Sequence, residues 1–328
     1  MSNKRIVTLD LDRIVAMIFV MFIHSPINAD PKDNPAMFFL KGFIACGAVP
    51  TFFLLSGYLS AGKINSPTLG MGAYVGGRFR ALIIPFLFWN TLVLLLVFAA
   101  KNMGLNTFAR GSGAYFDVQP TFTSIASALF GIGRSPIVYQ FWFLRDLIVV
   151  SLFAPVICRC LPHLPLLPWL LFFVPLPLAS SLGFFLLGYQ LQAIFPDVPN
   201  PKLPASALFC FAWILLGWGL IWEWTSLPFL LQQLGSVFFI FHLAAMLAAT
   251  RVGQRLSLIG PAVFLVYALH EPTQTIIAKA SQAYGLPGYG GLVYFLLIPG
   301  IVFPACVLAY YALRRFCPFL LPYLTGGR

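Results

Sequence analysis

Runs of about twenty mostly apolar residues follow one another along nearly the whole chain, and a run of that length crosses the hydrocarbon core of a bilayer as a helix. They lie at about Ile6 to Ile27, Met37 to Ala61, Ala81 to Ala100, Ile137 to Leu161, Ala205 to Trp222, Leu227 to Ala249, Leu258 to Lys279 and Tyr289 to Phe316. Two further stretches, Leu164 to Leu178 and Ser180 to Phe195, are shorter, and Pro165, Pro168, Pro175 and Pro177 break them, as expected of half-helices or a re-entrant hairpin. The pattern predicts an all-α, polytopic integral membrane helical bundle of about ten transmembrane helices. Residues 1–328 then form a single transmembrane domain. Composition excludes a soluble globule: 60% of residues are hydrophobic, 9% are charged, and mean hydropathy is +0.89. The first run lacks a small-residue cleavage site and carries Arg13 and His24, so it reads as a retained span rather than a signal peptide.

The net charge of +11 points first to membrane topology rather than to nucleic acid, because no soluble basic surface carries it. With the N-terminus in the cytoplasm, the inner side receives Lys4, Arg5, Arg13, Lys63, Arg78, Arg80, Arg159, Lys202, Arg251, Arg255, Arg314, Arg315 and Arg328. The outer side receives Lys32, Lys41, Lys101, Arg110, Arg134 and Lys279, and Arg145 falls within a span. This distribution obeys the positive-inside rule with both termini cytoplasmic. The longest polar connection, Lys101 to Arg134, lies outside, after the third span. Six cysteines are scattered through apolar stretches without zinc-type pairing, and Cys158 with Cys160 makes only a C-x-C pair. No metal site is expected.

Ionisable groups inside spans are costly, so they are the candidates for chemistry. Arg13 and His24 have ten residues between them. On a helix they lie about 16 Å apart along the axis and nearly on one face. If Arg13 sits at the inner headgroups, His24 lies near the middle of the core. A neutral imidazole there can accept a hydroxyl proton as a general base, and Arg13 can hold an anionic group. Their ordinary roles would be an interhelical hydrogen bond and a topology anchor.

Three other constellations accompany this pair. Ser56, Gly57 and Tyr58 lie in AVPTFFLLSGYLSAGK, where small residues also allow close helix approach. A short glycine-rich loop then leads to GGRFRALIIPF, where Arg78 and Arg80 join Arg13 and Lys63 in an inner basic rim suited to phosphates. In YQFWFLRDLIVV, Trp142, Arg145 and Asp146 enter the outer half of a span. Adjacent helical residues do not face each other, so the two charges are expected to pair across the bundle or line a wet cavity, with a structural charge pair as the plain alternative. In FLVYALHEPTQ, His270 lies at a depth like that of His24, beside Glu271, and Pro272 is expected to bend or end the helix. His242 and His163 have weaker claims.

These residues resemble acyltransferase family 3, the integral membrane acyltransferases, over nearly the whole chain. Arg13 and His24 reproduce the first-helix signature of a basic residue, ten residues and His. FFLLSGYL after Pro50, the basic start of the third span ending at Pro85, QFWFL, FFLLGYQL from Phe184, and VYALH follow in family order. Asp12 stands where the family often has leucine, and Arg78 with Arg80 replaces the usual Arg-x-x-Arg, Ala81 standing at its second place. The resemblance is to the stand-alone form, without an extracytoplasmic hydrolase-like domain.

The resemblance implies a multi-pass protein of the cell inner (plasma) membrane that performs O-acetylation or a related acyl transfer. The donor would be cytoplasmic acyl-CoA, most simply acetyl-CoA, held at Arg13, Arg78 and Arg80. The acceptor would be a hydroxyl of a cell-envelope glycan, exopolysaccharide or lipid-linked sugar, arriving near Ser56, Tyr58, Trp142, Arg145 and Asp146. His24 would act as general base or as an acyl-imidazole relay, with Arg13, His270 and Glu271 completing the catalytic set. Membrane lipid is the remaining partner, a homo-oligomer is allowed for, and neither metal nor nucleic acid is expected. The rival reading is a proton-coupled transporter or flippase for a lipid-linked sugar, since buried charges also mark transport routes. No inverted repeat supports it. A structural subunit of an export complex would leave the buried histidines unexplained.

Overall fold

The computed structural model describes residues 6–25, 34–66, 70–103, 118–176, 178–197, 202–223, 228–286 and 290–327. Those residues contain helices and no strand. The helices are α1 (Val7–Ile23), α2 (Pro35–Ile64), α3 (Met71–Asn102), α4 (Phe122–Phe130), α5 (Tyr139–His163), α6 (Leu167–Leu171) and α7 (Ala179–Ile194). They continue with α8 (Leu203–Glu223), α9 (Phe229–Ala248), α10 (Arg251–Ser257), α11 (Gly260–Ala283), α12 (Leu292–Phe316) and α13 (Leu321–Thr325). Each expected apolar run contains helix where it is described, but in Leu164 to Leu178 only Leu167–Leu171 is helical, the surrounding residues being turns and coil. Five helices, α2, α3, α5, α9 and α12, are long and apolar enough to cross a membrane, or six if α10 and α11, bent by 44°, make one span. Helix α1 has 17 residues and α7 has 16, short of a full crossing by length. The chain is a helical membrane protein.

The structure revises several local expectations. The glycine-rich stretch before Arg78 is not a loop but the first turns of α3, which runs unbroken from Met71. Arg78 and Arg80 flank and enter a π-helical turn, Phe79–Ile83, within that helix. The polar connection after α3 holds α4, started by Thr121, whose Oγ1 accepts the Ser124 N–H, and closed by Gly131 at φ 70°. Pro272 does not end its helix, which continues to Ala283. The described bend instead precedes Gly260, between α10 and α11. Ile27, Pro177, Lys4, Arg5, Lys32, Asp30, Asp33, Arg110, Asp117 and Arg328 lie outside the described residues.

The chain folds as two compact units, each made of two segments: Met1–Gly62 with Leu164–Ala312, and Lys63–His163 with Leu313–Arg328. In the first unit α1 is the buried centre. Leu9, Leu11, Ile14, Val15, Ala16, Met17, Phe19, Val20 and Met21 bury side chains on all sides of it, as a helix enclosed by protein should. It packs against α9, α10, α11 and the irregular part of α2. That part is a π-helical turn, Phe39–Ile44, followed by a 3-10 turn, Ala45–Gly47. Irregular backbone at membrane depth survives where protein satisfies its polar groups. Here Gln232 Nε2 donates to the Gly42 carbonyl at 2.8 Å and Ser236 Oγ to the Phe43 carbonyl at 2.8 Å, both from α9. Helices α2 and α7 meet backbone to backbone. A Cβ at Gly57 would lie 1.8 Å from the Phe185 carbonyl oxygen, and one at Gly188 would lie 1.9 Å from that of Leu54.

In the second unit polar side chains tie the helices across apolar packing. Buried Asn90 of α3 accepts the Val138 N–H at 3.1 Å and donates to its own helix at Phe86. Tyr74 Oη donates to the Ser151 carbonyl of α5 at 3.2 Å, and Trp89 Nε1 to the Leu324 carbonyl of α13 at 3.0 Å.

Candidate active site

Helix α1 ends one residue before His24, which caps it with φ −85° and ψ 4°. The sequence expectation carried this helix on to Ile27; it ends instead at Ile23, with His24 as its cap. The last turn tightens there: the His24 N–H bonds Val20 O at 3.1 Å, and the Ser25 N–H bonds Phe22 O at 3.2 Å. A tightened end leaves carbonyls that need partners from elsewhere. The Met21 carbonyl accepts Gln274 Nε2 from α11 at 3.2 Å, and the Ser25 carbonyl accepts Lys41 Nζ from the π-helical turn of α2 at 3.0 Å.

Helix α11 brings His270 to the same place. Its ring centroid lies 5.3 Å from that of His24, with the planes at 63°, and it is fully buried. His270 Nδ1 lies 2.8 Å from the Tyr267 carbonyl oxygen. A carbonyl only accepts, so Nδ1 carries the proton and Nε2 keeps its lone pair. Among the described residues His270 Nε2 has no hydrogen-bond partner, and neither has Gln274 Oε1 one turn further along. Buried acceptors in that state are expensive and occur where a donor is to be received. Glu271 is half-buried, turned about 100° away from His270 on the helix, and its Oε1 accepts the Thr275 hydroxyl at 3.1 Å.

Towards the other end of α1, Arg13 is one third exposed and pairs with Asp10 at 3.4 Å, the i, i+3 spacing of a helix. Asp12 is 1% exposed, and neither of its carboxylate oxygens has a hydrogen-bond partner among the described residues. Ser56 and Tyr58 also belong to the first unit but serve α2 and α7. The Ser56 carbonyl accepts the Ser60 hydroxyl, and Tyr58 Oη donates to the Phe195 carbonyl at 2.7 Å, just past the end of α7.

The remaining expected residues belong to the second unit. The Arg78 guanidinium lies 5.1 Å over the Tyr74 ring, a cation–π contact, and Arg80 is exposed. Trp142 opens the α-helical part of α5. Arg145 and Asp146 do not pair across the bundle: Arg145 Nε and Nη2 approach Asp146 Oδ1 at 2.8 and 2.7 Å. Long side chains at consecutive helical positions can reach each other when a further anchor turns one back, and Nη1 of Arg145 donates to the Gly131 carbonyl at 2.9 Å. His242 joins α9 to α8 through Ser206 Oγ at 3.1 Å, and His163 ends α5 exposed.

Lys41 and Gln274 were not among the expected site residues, Lys41 being assigned only to the outer side of the topology. Gln274 carried a signal, four residues after His270 and so on its face. Lys41 carried one too, as a charge inside the run from Met37 to Ala61, but its partner is set by the π-helical turn and could not be read from the chain.

Comparison with known proteins adds the family. Residues 6–314 match the family model of an acyltransferase domain, acyltransferase family 3. Over 269 residues the chain is 23% identical to the succinoglycan biosynthesis protein ExoH of Rhizobium meliloti (strain 1021), which covers 76% of this chain and 70% of that protein. No solved structure matches. A match that runs through both units and through every candidate site residue settles the family: this chain belongs to acyltransferase family 3.

Proposed function

We propose that the protein transfers an acetyl group from cytoplasmic acyl-CoA to a hydroxyl of an exopolysaccharide or another envelope glycan, as a multi-pass O-acyltransferase of the inner membrane. The observation that carries this reading is the His24–His270 pair at the end of α1, in a chain of the acyltransferase family. In the reaction the acceptor hydroxyl oxygen attacks the thioester carbonyl carbon as His24 takes the hydroxyl proton. The C–S bond breaks, an ester forms, and the proton passes to the departing CoA thiolate. His270 is the second imidazole of the centre. The relative's name, a succinoglycan biosynthesis protein, favours an exopolysaccharide acceptor.

Arg78 and Arg80 suit the donor's phosphates, since guanidinium binds phosphate through two parallel hydrogen bonds. Arg13 would have to exchange Asp10 for an anionic substrate group. The topology that accompanies this reading has about ten spans and both termini in the cytoplasm.

The test is incubation of the purified protein with acetyl-CoA and glycan from the host envelope, following free CoA thiol and base-labile acetyl on the glycan. Both should appear with the intact protein and vanish with His24→Ala. Thiol release without acetyl on the glycan would leave only a thioesterase. No release with acetyl-CoA or a longer acyl-CoA would refute the reading.

A further inference from the structure

We propose that Lys41 and Gln274 are positioning residues that clamp the end of α1 from two sides and thereby set the His24 ring against His270. The inference rests on the reading of His24 as the reacting group. A helix end leaves carbonyls that other segments can take up, and in this protein two carbonyls that bracket His24, one in the last turn at Met21 and one just past the cap at Ser25, receive side-chain donors. The Met21 carbonyl takes Gln274 Nε2 at 3.2 Å and the Ser25 carbonyl takes Lys41 Nζ at 3.0 Å. The two donors come from different helices, α11 and α2, so His24 is held between two fixed points rather than hinged on one.

Each donor is itself fixed. Gln274 is fully buried one turn beyond His270 on the same helix, so one rigid element carries both the partner ring and one jaw of the clamp. Lys41 stands in the π-helical turn Phe39–Ile44, whose Gly42 and Phe43 carbonyls are taken by Gln232 and Ser236 of α9 at 2.8 Å each. A π-helical turn shifts the register of every following side chain, and such turns gather at functional positions. In this one the neighbouring carbonyls are held by α9 while the lysine reaches across to α1. A cation at a helix C-terminus also meets the negative end of its dipole.

The experiment compares Lys41→Met, Lys41→Arg, Gln274→Leu and Gln274→Met with the unchanged protein, purified in detergent, by two readouts. The first needs no substrate: hydrogen–deuterium exchange of the peptide covering residues 20–25. Lys41→Met, Gln274→Leu and the similarly sized Gln274→Met, none of which can donate, should each speed exchange there by about tenfold and leave other segments unchanged. Lys41→Arg keeps a donor and should exchange as the unchanged protein does. The second readout is acyl transfer from acetyl-CoA to host glycan. The same three variants should lose turnover by about tenfold or more with the apparent KM for acetyl-CoA unchanged, because a misplacement of about 1 Å is that costly. Lys41→Arg should retain it.

Unchanged exchange over residues 20–25 in Lys41→Met and Gln274→Met would overturn the clamp. So would exchange raised throughout the chain with Lys41→Arg no better than Lys41→Met, which would mark a merely structural lysine. Transfer that survives His24→Ala would instead refute the role of His24, while the exchange readout still decides whether the end of α1 is clamped.

Discussion

His24 and His270, which come from opposite ends of the chain, face each other edge to plane with ring centroids 5.3 Å apart. The tautomer of His270 is set by the Tyr267 carbonyl at 2.8 Å, so the free lone pair of the pair's buried member is on Nε2. An imidazole pair with one fixed tautomer can move a proton without a carboxylate in line, and Glu271, occupied by Thr275 on another face, is not in line.

The first prediction separates chemistry from packing at His24. Both His24→Ala and His24→Gln should lower turnover by a factor of about 10² to 10⁴, with melting temperatures close to that of the unchanged protein. Gln keeps the size and polarity of the side chain but cannot shuttle a proton. An active, stable His24→Gln protein would make the residue an interhelical hydrogen bonder and move attention to His270 and Glu271.

Asp12 yields a prediction of opposite sign. A buried carboxylate with no partner on either oxygen costs free energy, and replacing it with a well-packed apolar group stabilises. Asp12→Leu should therefore raise the melting temperature by about 2–4 °C and leave turnover intact, because Arg13 pairs with Asp10 rather than with Asp12. Lost activity in a stabler protein would show that the carboxylate works in the reaction.

At the donor side, Arg80→Ala should raise the apparent KM for acyl-CoA severalfold while leaving that for the acceptor unchanged. Arg78→Ala should do the same and also lower stability slightly, since Arg78 covers Tyr74. Steady-state kinetics with each substrate varied in turn would check this. Equal changes in both constants would argue against a phosphate site.

Arg145 and Asp146 are tested by breaking and then removing their pair. Arg145→Met strands a largely buried carboxylate, and stranding of that kind is strongly destabilising, so the variant should melt several degrees lower. Adding Asp146→Leu should recover most of the loss. Full recovery of stability with persistent loss of activity would return both residues to the acceptor site.

Gly57 and Gly188 probe the first unit's packing. Either one changed to Val should abolish stable expression, because the added Cβ would fall within 2 Å of a backbone carbonyl that has no room to retreat. Gly62, where nothing lies within 4 Å of a Cβ, should accept the same change. Size-exclusion profiles of the three variants would settle the matter.

The apolar runs, the lone charges within them and the Arg13-to-His24 spacing were all legible in the chain. They depend on transfer from water to lipid and on helical periodicity, which act residue by residue and need no partner. The close approach at Ser56 and Gly57 was legible for the same reason, as small residues in a span. The expected mutual depth of His24 and His270 also follows from counting residues along helices, and the two rings do meet.

Other features were decided by contacts between distant segments. The sequence by itself determined a helical membrane protein with two histidines at similar positions in their spans. Only the tertiary structure decided that α1 stops before His24, that the Gly131 carbonyl turns Arg145 back on Asp146, and that α2 passes through a π-helical turn which points Lys41 at Ser25. The physical reason is the demand that every buried carbonyl and donor find a partner. Which partner it finds depends on helices far along the chain, such as α9 supplying Gln232 and Ser236 and α11 supplying Gln274, and no local pattern of residues encodes that choice.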